Sequence, residues 1–278
     1  MANKAASLLL ASHPGPTVVV TAVGAVLGVG LGYPLSRLVV LIVAILLGQL
    51  SIGWSNDWLD ATRDAAVHRA DKPAARGAIG IRAVRAAAFV ALVAALAVTA
   101  ALGPLALGAH LVAIAGGWAY NLGLKSTVIS FLPFAVSFGL LPAIATLGQA
   151  QPAWPAAWVL AAGALLGVAA HVTNVLPDLA DDDTTGIRGL PHRLGATPSG
   201  LLAFACLAAA TVAITFGPGW PPQPLLVAGL VLGMAIAVHG VVLVLRTSPT
   251  RLLMQLIMTC ALIDVIMLAL AGQSVAAT

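Results

Sequence analysis

Long apolar runs follow one another along nearly the whole chain, broken by short segments that are either charged or rich in Gly and Pro. A transmembrane helix needs about 20 predominantly apolar residues. By that measure the pattern predicts nine spans, at 16–33, 38–58, 82–103, 105–121, 126–147, 153–178, 199–217, 223–245 and 251–272. Gly103-Pro104, the stretch from Gly148 to Pro155, Gly217-Pro218-Gly219 and Pro221-Pro222 fall between runs, where helix breakers belong. The runs are continuous and rich in Leu, Ala and Val, without the alternation over about ten residues that marks a membrane barrel. Only helices and closed barrels satisfy the backbone in lipid. The expected fold is therefore all-α, a polytopic membrane protein with about nine transmembrane helices forming one domain over residues 1–278.

Composition agrees. Of the 278 residues, 60% are hydrophobic and 8% are charged, against about 25% charged in soluble domains. The net charge is +4, and the basic residues sit in short loops beside acidic ones with no aromatic stripe. That arrangement argues against nucleic acid and leaves phosphate-bearing small molecules open. Cys206 and Cys260 both lie in predicted spans and read as small packing residues rather than a disulfide or metal pair. The run from Ser7 to Ala11 is short for the apolar region of a signal peptide, and His13-Pro14-Gly15-Pro16 interrupts it, so no cleavable signal is expected.

Charge placement orients the bundle. With Lys4 in the cytoplasm, the nine-span arrangement puts Arg63, Arg69, Lys72, Arg76, Arg82, Arg85, Lys125, Arg188, Arg193, Arg246 and Arg251 on the same side and leaves only Arg37 opposite. This is what the positive-inside rule requires. An eight-span arrangement, with Gly103-Pro104 as a kink, would move Lys125, Arg188, Arg193, Arg246 and Arg251 outside.

The acids carry the chemistry. There are nine, all Asp. Asp57, Asp60 and Asp64 end the second span; Asp178, Asp181, Asp182 and Asp183 end the sixth; both clusters face the cytoplasm. If each helix continues through its cluster, Asn56, Asp60 and Asp64 lie at i, i+4 and i+8, as do Asn174, Asp178 and Asp182, so each set shares one helix face. Stacked carboxylates repel, and burial adds to the cost. Oxygen-only ligands point to a hard cation. Mg²⁺ takes one or two carboxylates and completes its shell with water and phosphate oxygens. Two facing clusters suit metal ions bridged by a diphosphate, with Arg63, Arg69, Lys72, Lys125, Arg188 and Arg193 as candidates for its free oxygens. A transporter of ions or lipids is the non-enzymatic alternative, although transporters place their acids mid-span.

At these residues the chain resembles the UbiA superfamily of intramembrane prenyltransferases. Asn56-Asp57-x-x-Asp60-x-x-x-Asp64 matches the family's first signature, followed by Lys72-Pro73 and Gly77. Asp178-x-x-x-Asp182 matches the second, continuing through Gly186, Arg188, Leu190-Pro191 and Gly195. Tyr120 and Lys125 resemble the family's Tyr and Lys at the cytosolic end of the fourth span. The resemblance implies nine helices around a central cavity, Mg²⁺, an allylic prenyl diphosphate donor and a small, lipophilic or aromatic acceptor. It implies metal ligation by Asp57, Asp60, Asp64, Asp178 and Asp182 with Asn56 and Asn174, and substrate binding by Asn56, Arg63, Lys72, Tyr120, Asn121, Lys125, Asn174 and Arg188. A membrane terpene cyclase on the same scaffold, quenching the cation without an acceptor, is the alternative reaction. The expected setting is a bacterial plasma membrane, with the site facing the cytoplasm and no obligate protein partner. One departure stands out: many relatives carry Arg-Pro before the first span, and this chain carries His13-Pro14.

Four further residues have two readings each. Trp54 and Trp58 suit cation–π stabilisation of a carbocation or interface anchoring. His171, one turn before Asn174, suits a supporting role at the site or plain helix packing. Asp264, the only acid inside a predicted span, suits a functional role, as intramembrane acids often do, or a structural pairing with His239 or His110.

Overall fold

Prolines and glycines cut the chain into helices much as the apolar pattern predicts. The computed structural model describes residues 4–66, 72–179, 186–246 and 251–276. The helices are α1 (Lys4–Ala11), α2 (Pro14–Gly30), α3 (Leu35–Ala66), α4 (Ile81–Ala100), α5 (Pro104–Leu122), α6 (Leu132–Leu147), α7 (Ala157–Val175), α8 (Leu190–Leu194), α9 (Ala196–Phe216), α10 (Pro224–Arg246) and α11 (Arg251–Leu270). Short 3₁₀ turns cover Leu124–Ser126, Leu176–Asp178 and Gly272–Val275. Proline opens α2 and α5, where its missing N–H costs nothing. Gly103 takes φ 123° just before α5, so the residue pair at the fourth span's start is a true break and not a kink.

Each of the nine predicted spans has its helix. Seven helices among the described residues are long and apolar enough to cross a bilayer, and α1 with α2, bent by 63°, forms an eighth candidate. The fifth predicted span is shorter than expected. It was to begin at residue 126, but α6 begins at Leu132 and has 16 residues. Residues from Lys125 to Ser130 are spent instead in turns at the end of α5. The second span runs longer, since α3 continues to Ala66 and carries the first Asp cluster on unbroken helix.

The chain closes a ring. α2, α3, α5, α6, α7, α9 and α11 contact in succession, and α11 returns to α2; α4 lies against α3 and α5, and α10 against α9 and α11. A large buried cluster including Leu41, Ile45, Ile144, Leu166, Phe204 and Leu207 fills this arrangement. A second small cluster, Ala11, Ala61, Ala74, Ile79 and Val84 with Leu8, Trp54 and Trp58, caps the carboxylate end.

Small residues set the closest approaches, as they do between helices in lipid. A Cβ at Gly163 of α7 would fall 2.6 Å from the Phe138 carbonyl of α6, and one at Gly139 would fall 3.2 Å from the Leu160 carbonyl. At the opposite end, Arg37 stitches loops together. Its Nε donates to the Gly148 carbonyl (2.6 Å) and its Nη2 to the Leu102 carbonyl (2.8 Å). These carbonyls close α6 and α4, where the helix dipole favours a cation. The Tyr33 hydroxyl donates to the Ala145 carbonyl beside them, and Gln149 Nε2 donates to the Leu31 carbonyl at 3.0 Å. The sequence reading left this end without a role for Arg37; it is a structural clasp.

Replacing Gly163 by Ala should force α6 and α7 apart and cost about 1–3 kcal/mol of stability. Gly108→Ala, where an added Cβ meets nothing within 4 Å, should be neutral or stabilising by up to about 1 kcal/mol. Thermal unfolding of the purified protein in detergent compares the two, and equal melting temperatures would contradict the packing account.

Candidate functional site

The first cluster forms as its spacing requires. α3 is unbroken through Asp64, so Asn56, Asp57, Asp60 and Asp64 fall on one side of it. Asp57, Asp60 and Asp64 are all buried. Three carboxylates in so dry a place demand positive partners, and one other segment and α3 itself supply them. Lys125, from the 3₁₀ turn after α5, pairs with Asp60 Oδ1. Arg63, one turn along α3, reaches Asp60 Oδ2 at 2.9 Å and Asp64 Oδ1 at 3.2 Å. Burial pulls the Lys125 ammonium below its ordinary pKa, and the adjacent Asp60 works against that shift.

Amides orient the cluster. The Asn121 side chain donates to the Ile52 carbonyl (3.0 Å) and to Ser55 Oγ (2.8 Å), which leaves its oxygen to accept from Asn56 Nδ2 at 3.1 Å. Asn56 Nδ2 also donates to Asp60 Oδ2 at 3.1 Å, and Asn56 Oδ1 accepts from Lys72 Nζ at 3.1 Å. The polar chain thus runs Lys72 to Asn56 to Asp60 and Asn121. Lys72 Nζ also donates to His13 Nε2 at 2.9 Å. His13 sits at the bend between α1 and α2 with φ 54°, a left-handed conformation uncommon outside glycine. The sequence reading did not include His13 among the site residues. The signal was there: His13-Pro14 is the departure from the Arg-Pro pair that the resemblance led one to expect.

Two carboxylate oxygens are left over. The Ala74 N–H donates to Asp57 Oδ2 at 3.2 Å, but Asp57 Oδ1 and Asp64 Oδ2 are buried and have no hydrogen-bond partner among the described residues. Orphaned buried oxygens are costly, and a hard cation suits them. Among the described residues, no group of three or more His, Cys, Asp or Glu closes a metal site by itself. Few protein ligands plus substrate oxygens is the habit of Mg²⁺, so these residues fit that ion.

The second cluster is described only in part. α7 ends at Val175, and Leu176–Asp178 forms a 3₁₀ turn containing Pro177. A helical face shared by Asn174, Asp178 and Asp182 is therefore interrupted after Val175, because Pro177 favours tighter geometry over a continuing α-helix. Asn174 is exposed on the last turn of α7. Asp181, Asp182 and Asp183 lie outside the described residues, as do Asp71, Arg69 and the side chain of Asp178. The segment following the cluster is placed. Gly189 lies against the Lys125 carbonyl, so close that a Cβ there would clash with it and with Ser130 Oγ. The Leu190 N–H donates to Ser130 Oγ at 2.8 Å, and Ser130 Oγ lies 3.0 Å from His171 Nε2. Ser130 and His171 are both fully buried. The tail bearing exposed Arg188 thus docks on the Lys125 turn, at the same end of the bundle as the first cluster. His171 serves here as a support for that docking. Ser130 escaped the sequence reading, since a lone serine carries no pattern.

Aromatic groups sort themselves by helix face. Tyr120 stands edge-on to Phe134 (5.1 Å) and to His171 (5.7 Å), beside the docking point. Trp58 turns away from the carboxylates to Phe89 and Trp118, with Arg85 at 5.9 Å over its ring. Trp54 Nε1 donates to the Leu8 carbonyl at 2.8 Å and anchors α1. Both tryptophans are engaged in packing contacts, Trp54 with α1 and Trp58 with α4 and α5. Asp264 contacts Thr211 Oγ1 at 2.7 Å rather than either expected histidine, and His110 pairs with Thr99 instead.

A family model described as the UbiA prenyltransferase family matches residues 17–263. A digeranylgeranylglyceryl phosphate synthase from Methanoregula boonei is 31% identical over 191 residues, which is 66% of this chain and 67% of that protein. Solved structures share the fold. A UbiA homolog from Archaeoglobus fulgidus bound to GPP and Mg²⁺ superposes with TM-score 0.74 at 15% identity, covering 97% of this chain and 99% of the other. An apo UbiA homolog from Aeropyrum pernix K1 gives TM-score 0.71 at 16% identity, covering 95% and 97%.

Removing one partner of the Asp60–Lys125 pair leaves a buried charge uncompensated. Asp60→Asn and Lys125→Met should each cost about 3 kcal/mol. The double variant should recover part of that loss, with a coupling of about 1–3 kcal/mol. Unfolding of the metal-free protein measures the cycle; strictly additive losses would show that the pair is not coupled.

Proposed function

The chain belongs to the UbiA prenyltransferase family, and on that premise we propose that it moves a prenyl group from an allylic diphosphate to a small lipophilic or aromatic acceptor, releasing pyrophosphate. The observation that carries this reading is the pair of orphaned oxygens on Asp57 and Asp64, buried beside Lys125, Arg63 and Lys72 in a membrane protein. Carboxylates alone would repel a diphosphate. Carboxylates with unfilled oxygens, ringed by cations, suit a metal diphosphate.

Asp57, Asp60 and Asp64 on one side and Asp178 and Asp182 on the other would hold Mg²⁺, with Asn174 assisting. Asn56 Oδ1 is taken by Lys72, so we assign Asn56 to orienting Asp60. When bound, Mg²⁺ neutralises the charge that builds on a departing diphosphate. Lys72, Lys125, Arg63 and Arg188 grip the remaining oxygens through charge-assisted hydrogen bonds. The bond from the prenyl C1 to the diphosphate oxygen breaks, and its electron pair leaves with the oxygen. The allylic cation left behind faces Tyr120 and Asn121 until an acceptor atom supplies the electron pair of the new bond and gives up its proton. Burial of the site excludes the water that would otherwise quench the cation. The reading places the site on the cytoplasmic side of a bacterial plasma membrane, in line with the basic residues gathered there.

The test is pyrophosphate release by purified protein given Mg²⁺, allylic diphosphates and an acceptor panel. The panel includes glyceryl phosphate ethers, since the Methanoregula relative is named for such a product, alongside phenols and quinols. Asp57→Asn and Asp178→Asn should each lower turnover roughly 10²–10³-fold, and chelation by EDTA should abolish it. Wild-type rates in both variants would remove the metal assignment. Hydrocarbon product without any acceptor would convert the reading to the cyclase.

A further inference from the structure

Arg188 is carried on extended chain rather than on a helix. Ile187 and Gly189 on either side of it are buried, whereas Arg188 is exposed. That is the alternation an extended backbone imposes, and Gly189 has φ −66° and ψ 179°. A long side chain on such a strip reaches a fixed point only where its backbone is held, since its own rotatable bonds already give it many positions. Two side chains from outside the strip hold it, one from each direction.

From α8, Arg193 Nε donates to the Arg188 carbonyl at 3.1 Å. From the turn before α6, Ser130 Oγ accepts the Leu190 N–H at 2.8 Å. The Ser130 hydroxyl has one proton, and its acceptor among the described residues is His171 Nε2 at 3.0 Å. Ser130 therefore donates to Nε2, and the imidazole proton sits on Nδ1. Ser130 and His171 are both fully buried, so water does not compete for these bonds. The turns between Lys125 and Ser130 are closed on themselves, with Thr127 N–H donating to the Leu124 carbonyl and Ser130 N–H to the Thr127 carbonyl. Gly189 is wedged against the same turns, where a Cβ would fall 2.5 Å from the Lys125 carbonyl and 2.9 Å from Ser130 Oγ. One serine thus joins α7, the Lys125 turn and the strip bearing Arg188.

We propose that Ser130 and Arg193 are positioning residues for Arg188, holding it so that Arg188 and Lys125 reach one diphosphate together. This rests on the diphosphate reading of the site. Neither residue touches the diphosphate: Ser130 acts through the Leu190 N–H, and Arg193 through the Arg188 carbonyl. His171 acts one step further out, by taking the Ser130 proton so that the oxygen's lone pair is left for Leu190. Two cations from separate segments bind a polyanion only as well as the segments are held relative to each other. With Ser130 and Arg193 in place, the strip is ordered when the chain folds rather than each time the diphosphate arrives, and binding is stronger by that difference. The position of Arg193 after the second cluster made it a candidate for the diphosphate oxygens; the fold gives its Nε to the backbone of the neighbouring cation.

Calorimetric titration of the full chain in detergent with inorganic pyrophosphate and Mg²⁺, well below the melting temperature, tests this. Arg188→Gln should weaken pyrophosphate binding roughly tenfold, the loss of one charge-assisted hydrogen bond. Ser130→Ala and Arg193→Met should each weaken it about three- to tenfold with unchanged stoichiometry. On the Arg188→Gln background either change should alter affinity less than about twofold, because the side chain it positions is already gone. A Ser130 that only stabilises the fold would lower the melting temperature and leave the affinity of the folded molecules as in wild type. An Arg193 that touches the diphosphate itself would weaken binding equally on both backgrounds. Either result, or Arg188→Gln binding like wild type, overturns the positioning assignment and leaves the prenyltransferase reading standing. Arg193 is exposed, so its variant decides the matter even if Ser130→Ala does not fold. Wild type that binds no pyrophosphate removes the diphosphate site itself, and both readings with it.

Discussion

Three buried carboxylates on one helix face are stable only because cations arrive from elsewhere in the chain. Asp60 is the centre of this arrangement, held by Lys125 from the turn after α5, by Arg63 from its own helix and by the Asn56 amide. Much of the local architecture follows from that need. α3 must stay helical to Ala66 to present the carboxylates. α5 must end at Leu122 so that Lys125 can turn inward. The Gly189–Leu190 segment must lie flat on that turn, which is why a side chain at 189 has no room. Charge compensation thus ties three distant parts of the sequence into one site.

The fold and the first cluster were legible for a simple reason: both are periodic. Spans of about 20 apolar residues announce helices in lipid, and Asn56, Asp60 and Asp64 at fourfold spacing announce a shared face. Lys125 was legible because a lone lysine between two apolar runs has few other uses. What resisted reading depends on direction rather than spacing. Trp58 is two residues from Asn56, so it points to the far side of α3 and finds Phe89 and Trp118. Pro177 converts the end of α7 to a 3₁₀ turn and breaks the register that Asn174 and Asp178 were expected to share. Ser130, His13 and the orientation of the Asn121 amide depend on contacts between segments far apart in sequence, which no local pattern records.

The same contrast holds inside the bundle. The apolar pattern marks every wall residue of the central cavity as suitable for lipid or core, and it is indifferent between them. Only the ring closure, from α2 round to α11 and back, separates the inward face from the outward one. Gln49 and His110 are then distinguishable from the leucines and isoleucines around them, as polar side chains facing inward.

The two ends of the bundle are fastened by different means. At one end Arg37 grips backbone carbonyls that close α4 and α6, with Tyr33 and Gln149 adding bonds alongside. Carbonyls cannot be traded for a ligand. At the other end, beside the hydrogen bonds of Leu190, Trp54 and Asn121, the carboxylates are held by ion pairs with Lys125 and Arg63, and ion pairs can be exchanged for a charged guest. The two ends therefore answer a charged guest differently: the carbonyl clasp at Arg37 has nothing to exchange with it, whereas Asp60 and Lys125 can each trade their partner for one of its charges.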